Sequence, residues 1–98
     1  MIENFRDNWL HDFFVKHEAT KKVPADIKTR LFRKLQMIDD SINENDLKIP
    51  PSNNFEKLKG NLSGWHSIRV NKQWRLIFIW ESKSGKAKQV YLDNHDYK

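Results

Sequence analysis

The chain has 98 residues, 38% hydrophobic, 32% charged and 12% aromatic, with no cysteine. That length allows one domain, residues 1–98, with a small core that buries about 60–65% of the unfolded surface. Disulfides, thiol chemistry and Cys-based zinc sites are excluded, and the longest apolar run, Leu76 to Trp80, is far below the roughly 18 residues that span a bilayer. The start, Met1 to Arg6, lacks the basic and apolar regions of an export signal, so the expected location is the cytoplasm, with no membrane association. The net charge is +5. Residues 1–49 carry nine basic and nine acidic side chains, and residues 50–98 hold the whole excess. A basic half points to a polyanion, nucleic acid or an acidic protein, or to nothing beyond solubility.

Residues 1–6 read as an extended lead-in anchored by Ile2 and Phe5. From Asp7 the pattern turns helical, with Trp9, Leu10, Phe13 and Phe14 on one stripe and Asp7 or Asn8 as the N-cap. Pro24 suits a helix N1 position and Asp26 the first turn. Ile27, Leu31, Leu35, Ile38 and Ile42 then predict one amphipathic helix over 24–42. Its outer face is basic in the middle (Lys28, Arg30, Arg33, Lys34) and acidic at the end (Asp39, Asp40). Residues 43–54, with Pro50-Pro51, are expected to be a loop.

Strand patterns follow. Residues 65–70 alternate, as do Trp74, Leu76, Phe78 and Trp80, with Arg75, Ile77 and Ile79 on the opposite side. Both sides are partly apolar, which suits a central strand covered on one face by the helices. Residues 82–85 are a turn, residues 89–92 a last strand, and residues 93–98 a polar tail. The expected fold is α+β: two N-terminal helices packed on a mainly antiparallel twisted sheet.

Residues 65–80 also carry chemistry. A three-residue loop, Asn71-Lys72-Gln73, centres the hairpin on Lys72 and sets Arg69 directly opposite Arg75. Their Cβ atoms would lie about 4.5–5.5 Å apart on one face, where like charges repel. Either an anion between them relieves this, a carboxylate of the chain or a phosphate, or each arginine pairs separately with an acid. Of the histidines, His11 and His17 suit the surface, and His66 alternates with Ile68 and Val70 as a partly buried strand residue. His95 sits among Asp93, Asp96 and Tyr97, a set able to move protons or simply to be solvated. No metal-binding spacing, phosphate loop or nucleophile elbow is present, so no cofactor or metal is expected.

The run Pro50-Pro51-Ser52-Asn53-Asn54-Phe55-Glu56-Lys57-Leu58-Lys59-Gly60, followed by Gly64-Trp65-His66-Ser67-Ile68-Arg69-Val70-Asn71-Lys72-Gln73-Trp74-Arg75-Leu76, resembles the HigB toxins. These are a branch of the RelE-like toxins of bacterial toxin–antitoxin systems, also known as host-inhibition or plasmid-maintenance killer proteins. The resemblance extends over nearly the whole chain. It implies a RelE-like, microbial-ribonuclease-type fold and a metal-independent endoribonuclease that cuts translated mRNA in the ribosomal A site. The ribose 2′-OH would attack the adjacent phosphate to leave a cyclic phosphate.

By resemblance, Lys59 matches a catalytic lysine and Arg75 a phosphate-stabilising arginine. The C-terminal acid–base set is either Asp93 with His95 or Asp96 with Tyr97; many relatives end Asp-Tyr-His where this chain has Asp96-Tyr97-Lys98. Some relatives carry His where this chain has Glu56, which leaves Glu56 as a base or as a salt-bridge partner of Lys59 or Arg75. Lys57, Arg69, Asn71, Lys72 and Trp74 are candidate RNA contacts, with His66 a possible auxiliary group. The implied partners are a HigA-like helix-turn-helix antitoxin, the 70S ribosome with mRNA, and operator DNA bound through the toxin–antitoxin complex. The free toxin would be a monomer and the complex a heterotetramer. The charge asymmetry further suggests that residues 50–98 face RNA while the first two helices take the antitoxin. Two other readings are an inactive corepressor and a gyrase-directed toxin.

Overall fold

The computed structural model describes residues 1–94. Three helices, α1 (Asn8–Val15), α2 (Lys28–Asp40) and α3 (Glu44–Leu47), precede four strands, β1 (Glu56–Lys57), β2 (Trp65–Arg69), β3 (Trp74–Glu81) and β4 (Lys86–Asn94). The strands form one antiparallel sheet in chain order. Leu76, Phe78 and Trp80 of β3, Ile68 of β2 and Val90 of β4 point to the helices and bury against Leu10 of α1 and Leu31, Leu35 and Ile38 of α2. The α+β arrangement of helices on one face of an antiparallel sheet is therefore as the periodicities predict.

The lead-in extends the sheet differently. Ile2 and Phe5 form parallel bridges to Ala87 and Val90, and the Ile2 amide donates to Asp39 at the end of α2 (2.9 Å). The first segment thus seals the outer edge of β4, which would otherwise expose unpaired backbone groups.

Three expectations need correction. The helix predicted over 24–42 is shorter. Pro24 stands before a 3₁₀ turn (Ala25–Ile27), and α2 stops at Asp40 because Ser41 is extended, with its hydroxyl donating back to the Met37 carbonyl (2.7 Å). Ile42, on the extrapolated stripe, is 75% exposed. The loop predicted over 43–54 contains α3. Asn43 and Asp46 form a reciprocal capping box there, with the Asp46 amide donating to Asn43 Oδ1 and the Asn43 amide to Asp46 Oδ2. The same segment holds a 3₁₀ turn, Pro51–Asn53, entered through a cis Ile49–Pro50 bond. The last strand runs Lys86–Asn94 rather than 89–92, taking Asp93 and Asn94 from the predicted tail because they pair with Arg75 and Trp74, and it carries a bulge.

That bulge matters for the sheet's free face. Ile79 pairs with Lys88, but Ile77 pairs with Tyr91, so β4 has one residue more than β3 between these pairs. Gln89 absorbs it with φ +54, its amide donating to Asn4 Oδ1 (2.6 Å). A one-residue shift reverses which side each later side chain occupies. Beyond the bulge Val90 and Leu92 pack on the core, while Tyr91 and Asp93 turn to the open face.

Gly85 closes the β3–β4 turn at φ +65, and a Cβ there would lie 2.6 Å from the Ile42 carbonyl oxygen. Gly64 (φ +93) has open space around its missing Cβ. Gly85→Ala therefore meets backbone strain and a steric clash, against strain alone for Gly64→Ala. Expected losses are about 2–3 and about 1 kcal/mol respectively, with Tm falling roughly 4–8 °C per kcal/mol. Equal melting points for the two variants would contradict the close approach of Gly85 to Ile42.

Candidate functional site

The open face of the sheet is built by the register. Arg69 of β2 lies opposite Arg75 of β3, as the hairpin arithmetic predicts, and Asp93 of β4 flanks Arg75 on its other side. The next row holds Ser67, Ile77 and Tyr91, with Glu56 of β1 paired to Ser67 at the edge. Trp65 and Ile79 follow.

Arg75 is the centre of this arrangement. It is only 7% exposed. Its Nη1 donates to Glu56 Oε2 (3.1 Å) and to Ser67 Oγ (3.2 Å), and Nη2 donates to Glu56 Oε1 (3.4 Å). Three of its five N–H donors are therefore engaged in a forked contact with one carboxylate and one buried hydroxyl. Glu56, a carboxylate of the chain itself, thus compensates Arg75, while Arg69 acts on it only as a nearby charge. Arg75 hydrogen bonding, opposed in part by desolvation, holds the Glu56 carboxyl below the usual range, and Asn54 and the Arg69 charge act in the same direction. Among the described residues Arg69 makes no ion pair of its own.

Beside this cluster, the Trp65 and Tyr91 rings meet edge to face at 5.8 Å, and the Arg6 guanidinium lies 3.9 Å over the Tyr91 ring. Burial pushes the Tyr91 phenol up, partly offset by Arg6. Ser67 and Tyr91 did not figure among the sequence candidates. Ser67 could have been found, since it alternates with Arg69 onto the same side. Tyr91 could not, because its facing depends on the bulge.

The other sequence candidates are dispersed. Lys59 is exposed at the head of the 3₁₀ turn Gly60–Leu62, just after the Leu58 amide donates to the Trp65 carbonyl (2.9 Å). Lys57 pairs with Glu44 of α3 (3.5 Å). Asn71 organises the hairpin turn, its Oδ1 accepting from the amides of Gln73 and Trp74 (2.8 Å each), and Lys72 is exposed at the tip. Trp74 lies on the helix-facing side, packed against the core and away from Arg75. His95, Asp96 and Tyr97 lie outside the described residues. Among the described residues no group of three or more His, Asp or Glu could hold a metal ion, and no helix is long and apolar enough to cross a membrane.

His66 also belongs to the core side. Its ring stacks between Phe55 (5.4 Å) and Phe78 (6.3 Å), Nε2 lies 3.8 Å from Glu44, and Nδ1 is buried without a hydrogen-bond partner among the described residues. Burial lowers its pKa, and Glu44 offsets this only in part. The unfolded chain therefore takes up this proton at higher pH than the folded one, so stability falls as pH drops below about 6.5. His66→Phe removes that uptake. Between about pH 7.5 and 5.5 the wild-type Tm is expected to fall further than that of the variant. Parallel pH dependence in the two proteins would contradict burial of a neutral imidazole.

Comparison with known proteins supplies the context for this site. A family model described as the RelE-like toxin of the type II toxin–antitoxin system HigB matches residues 3–95. Toxin HigB-1 of Vibrio cholerae serotype O1 is 50% identical over 97 residues, 99% of this chain and 100% of that protein. An uncharacterized protein of Haemophilus influenzae is 42% identical over 95 residues, 97% of this chain and 92% of its own length. With matches this extensive, the chain belongs to the HigB family of RelE-like toxins of type II toxin–antitoxin systems.

Proposed function

We propose that this toxin is a ribosome-dependent mRNA endoribonuclease that cuts translated message in the A site and so stops growth. The observation that carries the reading is the guanidinium of Arg75, fixed by Glu56 and Ser67 on the open sheet face beside a second arginine. Cleavage by an internal nucleophile needs positive charge where the phosphorane forms, a base for the 2′-OH and an acid for the departing oxygen. Arg75, with two donors beyond those given to Glu56 and Ser67, neutralises the phosphorane, assisted by Arg69.

The 2′ oxygen loses its proton as the O2′–P bond forms. The P–O5′ bond breaks, O5′ is protonated, and the products are a 2′,3′-cyclic phosphate and a free 5′-OH. The charge is supplied by side chains, so this reading uses no metal. Lys59 takes a place in the proton or charge transfer, and the acid–base set is completed by Asp93 with His95 or by Asp96 with Tyr97. Glu56 is a positioning residue: a carboxylate held well ionised by Arg75 is a poor base near neutral pH. A HigA-like antitoxin neutralises the toxin in the cytoplasm, and their complex binds operator DNA.

The test is induction without antitoxin in bacterial cells, with mapping of the 5′ ends of an abundant mRNA. New ends inside translated frames are expected for the wild type. With Arg75→Ala they should fall by about 10²–10³-fold, the cost of removing one charge-stabilising donor. Growth arrest with intact mRNA would overturn the reading in favour of another target such as gyrase. No arrest and no cleavage would overturn it in favour of a corepressor.

A further inference from the structure

A cleft of about 550 Å³ runs between α2 and the β2–β3 turn. Five of its lining residues are cationic: Arg30, Arg33 and Lys34 from α2, and Arg69 and Lys72 from the hairpin. Among the described residues no carboxylate lines it. The three α2 cations come from the half of the sequence with no net charge, so the fold concentrates positive charge where the linear sequence does not.

Among the described residues none of these five groups makes an ion pair. Lys34 is half-buried, and its ammonium donates to Asn53 Oδ1, a neutral acceptor. Asn53 is fully buried and fixed by its own donation to the carbonyls of Leu47 (3.1 Å) and Ile49 (3.3 Å). Burial and the nearby charges of Arg30 and Arg33 lower the Lys34 pKa, which records the mutual repulsion. Among the described residues neither Arg30 nor Arg33 forms an ion pair. Five cations without an ion pair among the described residues, three of them on one helix, suit a ligand with several regularly spaced anions.

Arg69 both lines the cleft and lies opposite Arg75 on the open face. The two features are therefore contiguous: a strand with one phosphate over Arg75 has its next phosphates beside Arg69 and the cleft. We propose that this cleft is a sequence-independent binding track for the phosphate backbone of RNA, continuous with the site at Arg75. This rests on the ribonuclease reading for its direction but not for its test. It also replaces the division in which the helices serve the antitoxin alone, since α2 supplies most of the track's charge.

The test uses a fluorescent single-stranded RNA of about twelve nucleotides, fully 2′-O-methylated so that it cannot be cleaved. Binding is followed by anisotropy over a range of KCl concentrations. Arg30→Gln with Arg33→Gln is compared with the wild type and with Lys21→Gln plus Lys22→Gln, which removes the same charge from an exposed loop outside the cleft. All four side chains are exposed, and unchanged thermal melting confirms folding.

The cleft variant should bind roughly tenfold or more weakly at about 0.1 M salt, equally for oligo(U) and oligo(A). Its salt slope should be shallower by about 1.4, the value for two lost phosphate contacts on a single strand. The loop control should stay near wild type. An unchanged slope in the cleft variant, or an equal loss in the control, would overturn the proposal. So would preferential loss of binding to a glutamate peptide with RNA affinity intact, which would make the occupant an acidic protein segment. If the expected RNA result appears but cells show no mRNA cleavage, the track stands and the ribonuclease reading fails by itself.

Discussion

The site depends on how the charge of a nearly buried guanidinium is compensated. Arg75 projects from the middle strand of the sheet, opposite another arginine, and is 7% exposed. A charge removed from water this far must be met by hydrogen bonds and an opposing charge, and an unpaired one costs more than the pair contributes. Glu56 and Ser67 meet that demand. The contact also explains β1, whose two residues add little sheet of their own. β1 carries Glu56 to an edge position from which its carboxylate reaches Arg75. Glu56 is half-exposed, so solvent screens the pair and its importance is in geometry rather than in stability.

Around that contact the chain assembles charge from distant segments. The bulge at Gln89 turns Tyr91 and Asp93 onto the face of Arg75. The hairpin turn, stapled by Asn71, sets the angle at which Arg69 and Lys72 approach α2. Asn53 ties the residues before β1 to α2 through Lys34 and so holds the far wall of the cleft. Each of these is a polar backbone or side-chain fixture rather than an apolar contact. The core beneath supplies rigidity, and these fixtures supply direction.

What the sequence reveals follows from which of these terms are periodic. The apolar stripe of α2, the alternation of β2 and β3, and the pairing of Arg69 with Arg75 all follow from spacings of 3.6 and 2. The sequence could not say where α2 ends, because a serine hydroxyl turning back on the helix outweighs an isoleucine that continues the stripe. The spacing Asn43-Glu44-Asn45-Asp46 was a readable capping signal for α3, with Asp in place of the usual Glu or Gln. The bulge is harder to read, since Gln89 is not a residue that announces a positive φ. How the facing arginines are compensated was open in the sequence; the structure pairs Arg75 with Glu56 and gives Arg69 no ion pair among the described residues. The cleft was not legible, because its two walls are far apart in the chain.

In the proposed mechanism Glu56 acts through Arg75, not as an independent base. Single-turnover cleavage of mRNA on programmed ribosomes by the wild type, Glu56→Gln, Arg75→Ala and the double variant tests it directly. Glu56→Gln is expected to slow the wild type roughly tenfold but to add nothing to Arg75→Ala, the signature of two residues acting as a unit. An equal further loss on the Arg75→Ala background would show that Glu56 does chemistry of its own and is not a positioning residue.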